Sequence, residues 1–580
     1  MITDGWALVS VTKVTFQGPE ETRRCSIQWK MAKYATTEIV NVMASFLSRP
    51  SDSMCDGLFV TEAMLSRRGL SMRDTTGSES QDVSRIKTWP VAFRGDSRPA
   101  SLDAGDMPKA LLMFTALLAL SCGGSAGYGA SQSRQQAQVL SLHPQNPHYF
   151  SYRGRPTVLI TSGEHYGALI NLDFDYRRYL RELELDGLNL TRVFSGAYVE
   201  PMRAFNITSN TLAPAAGRYL APWPRSSTEG YAGGGYKFDL SQWNNAYFLR
   251  LKSLVGEARK RGVIVEVNLF CPFYEESQWR LSPMNAINNV NRLGAVARTN
   301  VYTLDRSGGL LAVQEALVQR IVTELNPFGN VFYEICNEPY FGGVRMDWQR
   351  RIADVIVETE RALPLKHLIS QNIANGKAMI ENPHPAVSIF NFHYASPPDA
   401  VGMNHGLNKV IGDNETGFKG TNDGHYRMEA WEFILAGGGL YNNLDYSFVA
   451  GFEDGTFVYP AKQPGGGNPA FRRQMRWLKE FIDGFKFVQM RPDPSVVLGL
   501  PEKASVRALV EPGRQYAVYW RGVGVCKLEL ELPAGRYDRV WLDPLTGRRT
   551  RESFRQKVTG RAVFSFAEHE GELTFGLVRR

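Results

Sequence analysis

The sequence predicts an α/β protein, a (β/α)8 TIM barrel over residues 145–492 followed by a small antiparallel β-sandwich over 493–580. Three observations carry this expectation. From about residue 145, eight short apolar, β-branched-rich runs alternate with amphipathic helical stretches. No GxGxxG or GxxxxGK[ST] follows any of these runs, as an open doubly wound sheet, the rival architecture, would usually show. Beyond residue 493 helical periodicity gives way to two-residue alternation, as in Tyr516/Val518/Trp520 and Leu528/Leu530/Leu532.

The elements read as follows. Thr157–Thr161 is the first strand, with a helix over 173–186. Leu188–Phe194 is the second, followed by a long Gly/Pro/aromatic loop and a helix over 245–261. Val263–Phe270 is the third, and a helix over 309–325 leads to the fourth, Val331–Cys336. A helix over 345–362 leads to Leu368–Gln371, then Ala386–Phe392 and Lys409–Gly412 follow as strands six and seven. A helix over 424–436 and a strand near Tyr446–Val449 complete the eighth unit. The last helix, near 470–486, opens with Asn468 at the N-cap and Pro469 at the first helical position, a sound start.

At 580 residues, 43% hydrophobic and 21% charged, the chain has room for more than one domain and for a large core. The net charge of +8 is a weak signal for nucleic acid. Residues 1–106 carry 13 residues of each sign, and the excess beyond them is scattered without a basic run, so no nucleic-acid partner is expected. Cys25, Cys55, Cys122, Cys271, Cys336 and Cys526 form no CxxC pair and have no histidines at zinc-ligand spacing. Neither a disulfide framework nor a metal or other cofactor is expected.

Residues 107–122, MPKALLMFTALLALSC, have the plan of a secretory signal: a positive lead at Lys109, an apolar run from Ala110 to Leu120, then small residues. Eleven helical residues span only about 16 Å, too short for a ~30 Å hydrocarbon core. The expectation is a signal over 107–130 and a linker over 131–144, with residues 1–106 an over-extended N-terminus. The protein would then be secreted, periplasmic or attached to the outer cell envelope. Leu118–Cys122 resembles a lipoprotein cleavage box, which makes Cys122 a candidate for lipid anchoring to a membrane.

In a barrel of this kind, chemistry gathers at the C-terminal ends of strands. Glu164 and His165 follow the first strand, and Arg192 lies on the second. Asn337-Glu338-Pro339 follows the fourth, His393-Tyr394 the sixth, and Asp413-Asn414-Glu415 the seventh. Glycosidic-bond hydrolysis needs one carboxyl to protonate the departing oxygen and another to attack the anomeric carbon or activate water. Glu338 and Glu415 lie 77 residues apart, three βα units, so they can face one another across the barrel mouth. Asp413 is the competitor for the second role, and Glu334, with the strand parity of Glu338, reads as a buried support. Trp223, Tyr231, Tyr236, Phe273, Tyr274 and Trp279 on the long loops are sugar-stacking candidates, with Trp223 and Tyr274 foremost.

The segment YEICNEPY (333–340) resembles the strand-4 signature of the retaining (β/α)8 glycosidase clan that includes cellulases and β-mannanases, and GDNETGF (412–418) fits its strand-7 position. The barrel-plus-sandwich arrangement resembles apiosidase-like bacterial glycosidases, whose C-terminal module is often of a collagen-binding type. The resemblance implies a glycosidase acting on a carbohydrate substrate by retaining double displacement, with Glu338 as acid/base and Glu415 as nucleophile. It also implies that Asn337 bonds a sugar hydroxyl, that His393 and Tyr394 line the site, and that Arg192 keeps Glu415 ionised. Adjacent His393 and Tyr394 depart from the His-x-Tyr of such relatives, which leaves open which of the two faces inward. On these roles the acid/base is expected to have a raised pKa and the nucleophile a depressed one. The alternative is a non-catalytic glycan- or protein-binding surface protein on the same scaffold.

Overall fold

The computed structural model describes residues 138–497 and 504–580, apart from the side chains of 524–527 and 566–570, and the backbone of four strands between Ala7 and Arg73. Those four strands, Ala7–Gln17, Arg24–Met31, Glu62–Ser66 and Gly69–Arg73, form an antiparallel sheet. No strand was expected there, because Val and Thr fall on both faces of Ala7–Gln17 and give no apolar/polar contrast. The 107–122 segment and Cys122 lie outside the described residues. Among the described residues no helix is long and apolar enough to cross a membrane.

Eight parallel strands form the barrel: β1 Leu159–Gly163, β2 Leu190–Phe194, β3 Ile264–Asn268, β4 Val331–Glu334, β5 Ile369–Asn375, β6 Val387–His393, β7 Val410–Thr416 and β8 Leu440–Leu444. Each pairs with the next from β2 to β8, and β8 pairs with β1. Asn189 completes the circuit between β1 and β2. Its backbone N–H donates to Ile160 O at 3.3 Å, and its side chain bonds Ile160 N and Val158 O, each at 2.9 Å.

The outer layer comprises α1 Tyr176–Leu185, α2 Asn245–Lys260, α3 Leu310–Leu325, α4 Met346–Arg361, α5 Asp423–Leu435 and α6 Pro469–Ile482. The N-cap expected for the last helix is present, with Asn468 Oδ1 accepting from Ala470 N at 2.9 Å and Phe471 N at 3.0 Å. The eighth strand is Leu440–Leu444, not the stretch near Tyr446–Val449. Asn442 and Asn443 interrupt its apolar run, and their amides bond Asn414 O and Ser162 Oγ across the neighbouring strands.

A floor of Leu159, Leu190, Ile264, Phe332, Ile389, Val410 and Leu440 closes the N-terminal end of the barrel, packed on Phe150 and Tyr152 of a small three-stranded sheet. Above that floor the interior is polar: Arg192, Glu266, Glu334, Ser370 and Asn391 are all at most 2% exposed. Gly412 is required beside them, since a Cβ there would come within 2.4 Å of Asn391 Oδ1.

The C-terminal region is a six-stranded antiparallel sheet of β9 Arg491–Pro492, β10 Ser505–Glu511, β11 Gln515–Leu532, β12 Gly535–Leu542, β13 Arg549–Gln556 and β14 Gly560–Arg579. A register shift between Val525 and Lys527 divides the long β11–β14 pair. Side chains from both parts, among them Val518, Trp520, Leu528, Leu530 and Phe564, share one core separate from that of the barrel. The domain docks on α5, where Arg427 donates to Glu572 and Trp431 stacks on Tyr519.

Candidate active site

Glu338 lies four residues past the end of β4, with its backbone at φ +34°. That left-handed region is unfavourable for a residue with a Cβ, and strain of this kind concentrates where a side chain must be aimed. Glu415 lies inside β7, which extends beyond the expected Lys409–Gly412. A register shift pairs Phe392 with Asp413 but His393 with Glu415. The extra residue lets consecutive side chains, Asn414 and Glu415, both turn into the barrel. Asp413 turns elsewhere and accepts from Ala395 N at 3.2 Å, so it does not compete with Glu415. Burial, with Glu429 nearby, pushes the Asp413 carboxyl well up.

The two glutamates converge. Oxygens of Glu338 and Glu415 and a ring nitrogen of His393 all lie within 4.8 Å of one another. Their surroundings differ. Glu415 Oε2 accepts from Tyr166 OH at 2.9 Å and Arg192 Nη1 at 3.3 Å, and its Oε1 accepts from Tyr394 OH at 2.6 Å. Glu338 Oε2 accepts from Tyr274 OH at 2.6 Å, while Oε1 meets His393 Nδ1 at 3.1 Å and Tyr340 OH at 3.2 Å. Burial works to raise the Glu338 carboxyl, but the hydrogen bonds from His393, Tyr274 and Tyr340 outweigh it and hold the group below the usual carboxylate range. The raised value expected for Glu338 is therefore corrected, because three polar partners stand where apolar walls were expected.

Of the other residues singled out, Arg192, Asn337, His393, Tyr394 and Tyr274 are brought to this centre. Asn337 accepts from Arg192 Nη2 at 2.7 Å and donates to Tyr274 OH at 2.9 Å, so its amide is held in one orientation. Both His393 and Tyr394 reach the glutamates. Tyr394 has φ +54°, and this turn lets adjacent side chains point the same way. His165 stacks on Tyr166 with centroids 5.5 Å apart, and its Nε2 lies 3.4 Å from Glu200.

Glu164 and Trp223 do not meet the substrate-facing expectation. The Glu164 oxygens accept from Gly167 N at 3.0 Å and Ala168 N at 2.9 Å and from the Thr211 hydroxyl, so the carboxyl braces the loop after β1. Burial pushes it up to about 7. Trp223 and Phe273 are fully buried and Trp279 and Tyr231 nearly so, which leaves these four no ring face for a sugar, whereas Tyr236 is 47% exposed.

The exposed aromatic rim is built instead from residues the sequence did not single out. Phe205, Tyr340, Phe341 and Phe418 are 37–44% exposed. Phe205 meets Tyr274 edge-on at 5.4 Å, and Phe418 meets Tyr394 at 6.0 Å, which places both over the glutamates' tyrosine partners. Tyr166 was also missed, although it directly follows Glu164 and His165.

No family model matches the chain, and no curated protein matches it by sequence. Solved structures do match its fold. A protein described as a glycoside hydrolase aligns with a TM-score of 0.51 at 15% identity, over 77% of this chain and 98% of its own. A glycoside hydrolase family 5 protein from Bacteroides vulgatus ATCC 8482 aligns at 0.53 and 16% identity, over 77% and 95%. Another protein from that organism aligns at 0.55 and 11% identity, over 100% of this chain and 97% of its own. At such identities the likeness establishes a shared fold, and the function is argued from the site.

Proposed function

We propose that this chain is a glycoside hydrolase that cleaves poly- or oligosaccharides by retaining double displacement. The observation that carries the proposal is the approach of Glu338 and Glu415 to within 4.8 Å at the C-terminal mouth of the barrel. Retaining enzymes hold their carboxyls about 5–5.5 Å apart, whereas inverting ones leave room for a water at about 6.5–9.5 Å.

Glu415 suits the nucleophile. Arg192 and two tyrosine hydroxyls donate hydrogen bonds to its carboxylate, which orients it for attack and stabilises the charge it regains when it departs. Glu338, held by His393 and the hydroxyls of Tyr274 and Tyr340, takes the acid/base role. In the first step a Glu415 oxygen bonds to the anomeric carbon while the glycosidic C–O bond breaks and its oxygen takes the Glu338 proton. In the second, Glu338 removes a proton from water, the water oxygen bonds to the anomeric carbon, and Glu415 leaves as carboxylate. The glycosidase likeness of the fold neighbours and the YEICNEPY and GDNETGF segments support the same reading, as the barrel-plus-sandwich plan supports its apiosidase-like form. Action outside the cytoplasm belongs to this proposal and rests on the 107–122 segment.

The test is a screen of aryl glycosides and polysaccharides with Glu338→Gln and Glu415→Gln controls, each expected to lose at least ~10³-fold in rate. Added azide should rescue a Glu338→Ala variant to a glycosyl azide of retained configuration and a Glu415→Ala variant to one of inverted configuration. Glycan binding with no hydrolysis across the panel would leave the non-catalytic binder standing.

A further inference from the structure

Beneath the catalytic pair lies a second pair of carboxylates that the two steps of hydrolysis do not use. Glu266 on β3 and Glu334 on β4 are both fully buried, on strands paired so that Glu266 is level with Phe332 and Glu334 with Asn268. Two amides bridge them. Asn391 Nδ2 donates to Oε1 of each at 3.0 Å, and Asn414 Nδ2 donates to Glu266 Oε1 at 3.0 Å and Glu334 Oε1 at 2.8 Å. Glu334 Oε2 takes two Arg192 donors. Glu266 Oε2 is the one oxygen of the four left without a hydrogen-bond partner, and it lies 3.8 Å from Arg192 Nε.

A single guanidinium thus faces three buried carboxylates, Glu266, Glu334 and Glu415. Two carboxylates sharing such a site do not both ionise readily. Arg192 from β2 and Glu334 from β4 are the charged groups facing Glu266, while β5, β6 and β7 present neutral Ser370, Asn391 and Asn414.

We propose that Glu266 is a positioning residue for the nucleophile: its protonated carboxyl leaves Arg192 free to hold Glu415 and Asn337, and its ionised form competes for that guanidinium. The inference rests on the assignment of Glu415 as nucleophile. Burial and then the charge of Glu334 raise the Glu266 carboxyl to about 8, which keeps the productive form dominant at neutral pH. The proton resides on Oε2, the oxygen without a donor. Its loss as pH rises through about 8 places a new negative charge beside Nε.

The readout is kcat for a dinitrophenyl glycoside, whose leaving group needs no proton from Glu338 and for which breakdown of the glycosyl-enzyme limits turnover. Wild type is expected to fall about tenfold between pH 6 and pH 9, the scale of one lost charge-assisted hydrogen bond. Glu266→Gln mimics the protonated carboxyl permanently, so its own ratio across that interval should stay within twofold. Asn414→Ala is an independent second variant. It removes a donor that favours ionised Glu266, so its alkaline limb should move to higher pH.

Infrared titration reads the proton directly. The carboxyl C=O band at pH 6 should be stronger in wild type than in Glu266→Gln, with Glu164, Glu429 and Asp413 contributing equally to both spectra. An unchanged limb in Glu266→Gln, or identical carboxyl bands, overturns the proposal. If no glycoside is hydrolysed, the functional reading falls by itself, and the infrared difference still decides whether Glu266 holds the proton.

Discussion

Arg192→Lys separates charge from geometry at the centre of the site. The arginine donates in three directions: Nε to Glu334 at 3.1 Å, Nη2 to Asn337 at 2.7 Å, and Nη1 to Glu415 at 3.3 Å. A lysine keeps the charge but gathers its donors on one nitrogen at the end of a flexible stem, so it cannot span these acceptors. The closely paired Glu334 will retain the ammonium, and Glu415 and Asn337 lose their donor. The Glu415 bond matters most when that carboxylate departs from the anomeric carbon and regains its charge. A hydrogen bond to a charged group contributes about 1.5–3 kcal/mol, or roughly 10- to 150-fold in rate. The assay is kcat for a dinitrophenyl glycoside, for which breakdown of the glycosyl-enzyme limits turnover. A loss of that size, alongside a normal burst of phenol release, fits the argument. A variant within threefold of wild type would show that Arg192 acts as a bare charge and that its orientation is immaterial.

Two further outcomes follow from the same geometry. His393 is the strongest influence holding Glu338 below the usual carboxylate range, so His393→Phe raises the acid's pKa. The acid must be protonated to assist bond cleavage, so the alkaline limb of kcat/KM for a poor leaving group moves to higher pH; an unmoved or acid-shifted limb contradicts this. At the domain junction, Arg427 and Glu572 are 8% and 9% exposed, with Arg427 Nε donating to Glu572 at 3.0 Å. Glu572→Ala strands a buried guanidinium and should cost about 3–5 kcal/mol in denaturant unfolding, and a loss under ~1 kcal/mol would mean that the pair is effectively solvated.

Much of this was legible in the sequence where a strand is buried against helices and therefore reads as an apolar run. Reading failed where a strand's inward face is polar. Leu440–Leu444 was displaced by a few residues because Asn442 and Asn443 serve the barrel's hydrogen-bond network rather than its apolar core. The same interior explains why Glu266 passed unnoticed within an apolar strand, VIVEVNLF, despite lying next to Arg192.

Position at a strand end identifies residues near a barrel mouth, but it does not give the direction of a side chain. Glu164, His165 and Tyr166 all follow β1. There the positive φ of Tyr166, +62°, sends the tyrosine hydroxyl to Glu415, while the Glu164 carboxyl binds the turn's own N–H groups. The left-handed residues Glu338 and Tyr394 do the same work at β4 and β6. None of these three is a glycine, the residue that would have announced such a backbone in advance. The site is therefore set by backbone conformations that the local sequence disfavours, imposed by the packing around them. That is the physical reason the motif residues could be named from sequence while the hydroxyls that tune them could not.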